Sequence, residues 1–295
     1  MDFNSIIFPA PTDDKYEELN RHKDKILFIP KKLKNGKPFH IPCLFQRCEL
    51  NEKPTNKFFL YFHGNAEDIF NANSNLSYIK QKLPFNIISI EYPGYSVYYQ
   101  EKNAETTEED SIIVYDFLVN ECKIDPKNIV LCGRSIGTGV ATYLASKRKP
   151  GALILISPIK SIQDTAKTIL GFMKFIISNR YNNYERIKDV TCPLLIIHGQ
   201  KDSLIPFEDS IQLAERTSGP YELILPESMN HNEVIIYDDF FLPISGFLKR
   251  HNLCDMNDSE YFLSERYFIT PAYLKEGNWS NKDRTSMFIR KILKI

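Results

Sequence analysis

The segment Gly133-Arg134-Ser135-Ile136-Gly137 sets a serine between two glycines, directly after the apolar run Ile129-Val130-Leu131-Cys132 and before a helix-like stretch that reaches Lys147. A strand that turns sharply into a helix lifts the serine hydroxyl clear of a sheet, and glycines on either side let neighbouring backbone crowd close. The helix start also leaves N–H groups without intrahelical acceptors, a setting suited to an anionic oxygen. A serine hydroxyl attacks poorly at neutral pH unless a base takes its proton and a carboxylate orients that base. His231, in the polar loop 226–232, is the candidate base. Asp202, in His198-Gly199-Gln200-Lys201-Asp202 beyond an apolar strand, is the candidate acid. Asp209 and Glu91 stay open as alternative acids. His63 and His198 are rival bases, although each precedes a glycine at a strand end, where shaping the turn is the simpler role. The backbone N–H groups of Ile136 and of Asn65, in His63-Gly64-Asn65, are the candidate oxyanion donors, and each donor fixed before reaction is worth roughly 3 kcal/mol in the transition state.

Such a set needs a scaffold that brings strand ends together. Residues 25–30 and 41–47 are β-like runs split by Asn35-Gly36, a strong hairpin signal. From Phe58 onward apolar strands (58–62, 85–90, 129–132, 152–157, 194–197 and 222–225) alternate with helical stretches. One of these begins at Thr106-x-x-Glu109, read as a capping box, with Ile113, Val114, Phe117 and Leu118 on its apolar face. Another spans about 233–250. This alternation predicts an α/β protein with a mainly parallel sheet covered on both faces, whose site forms at the carboxyl ends of the strands. The order Ser135, Asp202, His231 is that of the α/β-hydrolase fold. The predicted organisation is an arm (1–24), a hydrolase domain (25–250) with a short cap insert (160–188), and an extension (251–295).

Thirty-seven basic residues balance thirty-seven acidic ones, which argues against nucleic acid as a partner. No apolar run reaches the about eighteen residues of a membrane span. The first twenty residues lack a signal-peptide core, Asp2 stands where myristoylation needs glycine, and the first cysteine is Cys43. The six cysteines are scattered without metal-ligand spacing, so free thiols, no metal and no cofactor are expected in a cytoplasmic protein.

His63-Gly-Asn-Ala-Glu-Asp68, Tyr92-Pro-Gly-Tyr95, Gly133-Arg-Ser-Ile-Gly-Thr-Gly139, Ser157-Pro-Ile-Lys-Ser161, Cys192 through Asp202 and Asn230-His-Asn232 resemble, in order, the alpha/beta-hydrolase-domain-containing protein 17 family. The resemblance runs from about residue 6 to residue 250. It implies a serine hydrolase that removes palmitate from protein cysteines, with Ser135 as nucleophile, Asp202 as acid and His231 as base. Three departures stand out. The palmitoylated N-terminal cysteine cluster usual in the family is missing, Ser96 replaces a glycine, and residues 251–295 have no counterpart.

The insert 166–177 is short where many hydrolases carry a lid, which suggests an open site able to admit an acyl chain on a bulky carrier. Most of its apolar residues are expected to bury against the body, with Phe172 and Met173 as candidate substrate contacts. The segment 286–295 mixes apolar residues with Arg290, Lys291 and Lys294. Packing onto its own domain is the simpler reading, and peripheral membrane contact is the alternative. The expected substrate is an S-acylated protein or acyl ester. A peptidase or small-ester hydrolase, and a binding module without catalysis, are the competing readings; the sequence leaves oligomeric state open.

Overall fold

Asn35-Gly36 forms the expected tight turn. Gly36 adopts φ 79°, its N–H donates to Leu33 O, and Asn35 Oδ1 accepts from Lys37 N–H. The turn joins β1 (Ile26–Lys32) to β2 (Pro38–Gln46) as an antiparallel pair, with Ile26 opposite Leu44. The remaining strands are β3 (Phe58–Phe62), β4 (Asn86–Ile90), β5 (Ile129–Arg134), β6 (Ala152–Ile156), β7 (Leu194–Ile197) and β8 (Tyr221–Ile224). This is a computed structural model, and it describes residues 15–50, 54–165, 180–255, 261 and 263–275. All eight strands form one sheet in the order β1-β2-β4-β3-β5-β6-β7-β8. β2 pairs antiparallel with β4, and every pairing from β4 to β8 is parallel.

Among the described residues helix α1 (Lys15–Arg21) precedes the sheet, α2 (Ser77–Lys82), α3 (Ala104–Asn120), α4 (Gly137–Lys147), α5 (Asn183–Arg186) and α6 (Glu208–Arg216) link successive strands from β3 to β8, and α7 (Leu242–Arg250) and α8 (Ala272–Lys275) follow β8. They cover both faces of the sheet, so β3, β4, β6 and β7 are buried throughout and read as unbroken apolar runs rather than alternating ones. Successive side chains of β3 still point to opposite faces. Phe58, Leu60 and Phe62 pack with Val114, Leu118, Val140 and Leu144 of α3 and α4. Phe59 and Tyr61 pack with Ile79, Phe247 and Leu248 of α2 and α7. Leu144 is fully buried, and its truncation to alanine is expected to cost about 2–5 kcal/mol.

Two helix starts differ from the sequence expectation. α3 begins at Ala104, because Asn103 is extended (φ −152°) and its side chain accepts from the N–H groups of Glu105 and Thr106. Thr106 therefore lies inside the first turn instead of capping it. The last long helix opens with a π-helical turn, Ile236–Phe241, in which Leu242 N–H reaches back five residues to Tyr237 O. Pro243 follows and has no N–H to extend a regular ladder into that turn.

The described part of the extension lies on the body through aromatic contacts. Tyr261 meets Phe58 edge-on (5.2 Å), Tyr267 meets Phe117 edge-on (4.8 Å), and Tyr273 stacks on Phe39 (4.9 Å). Residues 1–14, the insert core 166–179 with Phe172 and Met173, and the tail 276–295 lie outside the described residues, and with them the readings placed on those segments. Among the described residues no helix is long and apolar enough to cross a membrane.

Candidate active site

The carboxyl ends of β3, β5, β7 and β8 open onto one edge of the sheet, and the candidate residues gather there. Ser135 sits between β5 and α4 at φ 51°, a left-handed backbone that costs a residue with a side chain roughly 1–2 kcal/mol. Neighbouring bonds hold it in place. Its N–H donates to Ile156 O at the end of β6 (2.9 Å), and its carbonyl accepts from the N–H (3.0 Å) and hydroxyl (2.6 Å) of Thr138. The flanking glycines answer to close backbone approach. A Cβ on Gly133 would lie 2.5 Å from Gly137 O, and one on Gly137 only 2.2 Å from Phe62 O.

Ser135, Asp202 and His231 meet in one hydrogen-bonded line, each 8% exposed. His231 Nδ1 donates to Asp202 Oδ2 at 2.7 Å, which leaves Nε2 to accept the Ser135 hydroxyl at 3.0 Å. Asp202 Oδ1 accepts the backbone N–H groups of Leu204 and Ile205, both at 2.9 Å. Burial pushes the Asp202 carboxyl up, but hydrogen bonds from His198, His231 and the Ile205 N–H outweigh it and hold the group well below the usual carboxylate range. In this geometry a hydroxyl proton can pass to His231 while an ionised Asp202 steadies the resulting imidazolium.

The rivals fall elsewhere. His63 Nδ1 donates to Gly64 O (3.0 Å) and its Nε2 faces Glu91 Oε1 at 3.1 Å, so Glu91 serves His63 and not His231. Asp209 lies in α6, and burial pushes its carboxyl up. His198 also pairs with Asp202. Its Nε2 lies 3.2 Å from Asp202 Oδ2 and 3.1 Å from Ile205 O. A carbonyl only accepts, so the proton is on Nε2, and Nδ1 accepts from the Ser210 hydroxyl at 2.6 Å. A histidine before a glycine at a strand end looks in sequence like a turn residue, and nothing local marks Ser210 as its partner.

The turn that carries Asn65 is held by tyrosine hydroxyls. Tyr92 donates to His63 O (2.8 Å) and Tyr95 to Asn65 Oδ1 (3.0 Å), while the His63 ring stacks on Tyr92 at 3.9 Å. Tyr92-Pro-Gly-Tyr95 is thus a bracket for this turn, with Gly94 at φ 82° making the bend. Gly64 N–H donates to Glu67 Oε2 at 2.9 Å, and Asn65, the candidate donor on this side, follows it in the turn. Ile136 stands at the N-cap of α4, where the helix itself offers its N–H no acceptor. A Cβ on Gly137 would lie 2.6 Å from His63 O, which puts the two donor-bearing loops in contact. Ser96, at the glycine-to-serine departure, adopts φ 36°, and its buried hydroxyl has no hydrogen-bond partner among the described residues.

A profile of the prolyl oligopeptidase family matches residues 95–233. Human alpha/beta hydrolase domain-containing protein 17B is 30% identical over 236 residues, 78% of this chain and 78% of that protein. The mouse 17C protein is 30% identical over 212 residues, 70% of this chain and 63% of that protein. Among solved structures, the Pyrococcus furiosus esterase Pf2001 aligns at TM-score 0.61 and 15% identity, over 79% of this chain and 92% of that chain. A Mycobacterium tuberculosis puromycin-hydrolyzing peptidase aligns at TM-score 0.60 and 15% identity, over 76% of this chain but 40% of that one. The architecture shared with these structures is the α/β-hydrolase fold.

Proposed function

Because the chain belongs to the alpha/beta hydrolase domain-containing protein 17 family, we propose that this hydrolase acts through Ser135, His231 and Asp202 on long-chain acyl thioesters of protein cysteines. The observation that carries the reading is the continuous line from Ser135 Oγ through His231 to Asp202.

Ser135 Oγ attacks the thioester carbonyl carbon as its proton passes to His231 Nε2, and the carbonyl oxygen becomes an oxyanion facing the N–H groups of Ile136 and Asn65. Collapse of the tetrahedral adduct breaks the C–S bond. The cysteine sulfur leaves with the proton from His231, and the fatty acyl group stays on Ser135 as an ester. A water then gives its proton to His231 and attacks that ester, which releases the fatty acid and restores the hydroxyl. A thiol, with a pKa of about 8.5, is a far better leaving group than an amine, so a thioester asks less of His231 as an acid than a peptide does.

The prolyl oligopeptidase profile and the esterase-like fold support a second reading, hydrolysis of peptides or small esters. Turnover of a palmitoyl-cysteine peptide, an octanoyl ester and an aminoacyl amide by wild type and Ser135→Ala separates them. The expected result is dominant thioester turnover that falls by about 10⁴-fold or more without the hydroxyl. Cleavage of only the ester or the amide would overturn the substrate class. Silence on all three, with no labelling by a fluorophosphonate, would overturn the enzyme reading.

A further inference from the structure

Glu67, in His63-Gly-Asn-Ala-Glu-Asp68, and Arg134, directly before Ser135, are charged residues of the motifs around the site that have no role in that mechanism. The structure joins them. The Arg134 guanidinium uses Nη1 to pair with Glu67 Oε1 and Nη2 to donate to His231 O at 2.8 Å. The other Glu67 oxygen, Oε2, accepts Gly64 N–H at 2.9 Å. The two side chains are only 11% and 19% exposed, so water competes weakly for these bonds.

We propose that Arg134 and Glu67 are positioning residues that lock the nucleophile turn, the loop of the base and the oxyanion turn to one another. Each end of the pair reaches a different piece of machinery. Arg134 belongs to the nucleophile turn by covalent continuity, and its second nitrogen holds the backbone of His231. Glu67 holds Gly64, whose amide precedes that of Asn65. A Cβ on Gly64 would lie 3.3 Å from both Arg134 Nη1 and Glu67 Oε2, so the pair fits closely against the turn it positions. The guanidinium fork is essential here, since a lysine ammonium carries the charge but cannot span the carboxylate and the carbonyl in the same plane.

The inference rests on the serine-hydrolase reading, and its test keeps the two apart. Wild type, Arg134→Lys, Arg134→Ala, Glu67→Gln and Arg148→Ala are compared on an octanoyl ester, with active sites counted by fluorophosphonate titration and folding followed by thermal melts. Arg148 is the control, because it makes a similar two-point pair with Asp116 (2.7 and 2.6 Å) at the surface. The expected result for Arg134→Ala and Arg134→Lys is a fall in kcat per titrated site of about 10- to 100-fold with KM within about twofold, as misplacement of reacting groups produces. Glu67→Gln is expected to fall less, since its side-chain oxygen can still accept from Gly64. Millimolar guanidinium is expected to restore Arg134→Ala several-fold where equal sodium chloride does not. Wild-type kcat in Arg134→Lys, or an equal fall in Arg148→Ala, overturns the inference. Should Arg134→Ala fail to fold, Glu67→Gln carries the same readout, and wild-type kcat there overturns it too. A wild type that neither titrates nor turns over ester overturns the serine-hydrolase reading, and this inference with it.

Discussion

Two parallel strands of this molecule end in the same dipeptide, His63-Gly64 after β3 and His198-Gly199 after β7. Both rings are fully buried, and each faces a carboxylate, Glu91 at 3.1 Å and Asp202 at 3.2 Å. The carboxylates differ. Asp202 collects two backbone N–H groups and two histidines, which hold it well below its ordinary range against the pull of burial. Glu91 has His63, the Tyr92 N–H and a long contact to Ile69 N–H. Burial there wins, and the Glu91 carboxyl is pushed up. Two things separate them: Asp202 is the less deeply buried of the pair, and more donors are aimed at it, so burial is outweighed at Asp202 and not at Glu91. The Asp202 pair lies against His231, whereas the Glu91 pair braces the turn of Asn65.

The sharpest way to break this comparison is to neutralise each carboxylate in turn. Asp202→Asn presents the wrong hydrogen-bond partner to His231 and is expected to lower kcat on an octanoyl ester by about 10⁴-fold. Glu91→Gln is expected to keep kcat within about tenfold of wild type while losing roughly 1–3 kcal/mol of stability, because His63 keeps a weaker partner in a buried site. Initial rates and thermal melts check both. Equal losses of rate in the two variants would erase the distinction.

The next effect is one of sign. The folded Asp202 value lies below the ordinary 3.8, so on acidification the unfolded chain takes its proton first. The stability from this group is complete above the ordinary value and drains away as pH falls toward the folded one. Burial pulls the His63 value down, but the Glu91 hydrogen bond and charge lift it above the ordinary 6.5. The folded chain then holds that proton more tightly. Its contribution is complete below 6.5 and drains away as pH rises through the folded value. Urea midpoints measured across pH are expected to show a flatter acid limb in Asp202→Asn and a flatter limb above 6.5 in Glu91→Gln. An unchanged slope in either variant would remove that carboxylate from the account.

The smallest effects come from the hydroxyls that support each side. Tyr95→Phe removes the bond to Asn65, and Ser210→Ala removes the one to His198. Each is expected to lower kcat by a few-fold, in line with about 1 kcal/mol for a single hydrogen bond. A Tyr95→Phe rate equal to wild type would detach that hydroxyl from the work of the turn.

Much of this was legible in the sequence. The strand-to-helix turn at Ser135, the hairpin at Asn35-Gly36 and the parallel alternation are local patterns, written in glycines and unbroken apolar strands. The partner of His231 was not legible to the same degree, since Asp202 and Glu91 both follow strand ends and Asp209 stands in the helix beyond Asp202. Which one reaches Nδ1 depends on how β7 and β8 align. The start of α3 misled because Thr106 and Glu109 satisfy a capping pattern, while Asn103, extended just upstream, captures the free N–H groups first. The hydroxyl bonds of Tyr92, Tyr95 and Ser210 each cross from one element to another, and no periodicity announces them.

The sheet is not equally robust across its width. β5, which carries Ser135, is buried from Ile129 to Gly133 between β3 and β6. β8 lies at the opposite edge from the hairpin, only half-covered, with Tyr221 48% exposed, and the loop of His231 follows it. Edge strands fray before central ones, because fewer apolar contacts hold them. On warming, His231 would swing away from Ser135 while the amide protons of β3, β5 and β6 still resist exchange with solvent. The enzyme would fall silent below its melting temperature, and cooling would bring it back.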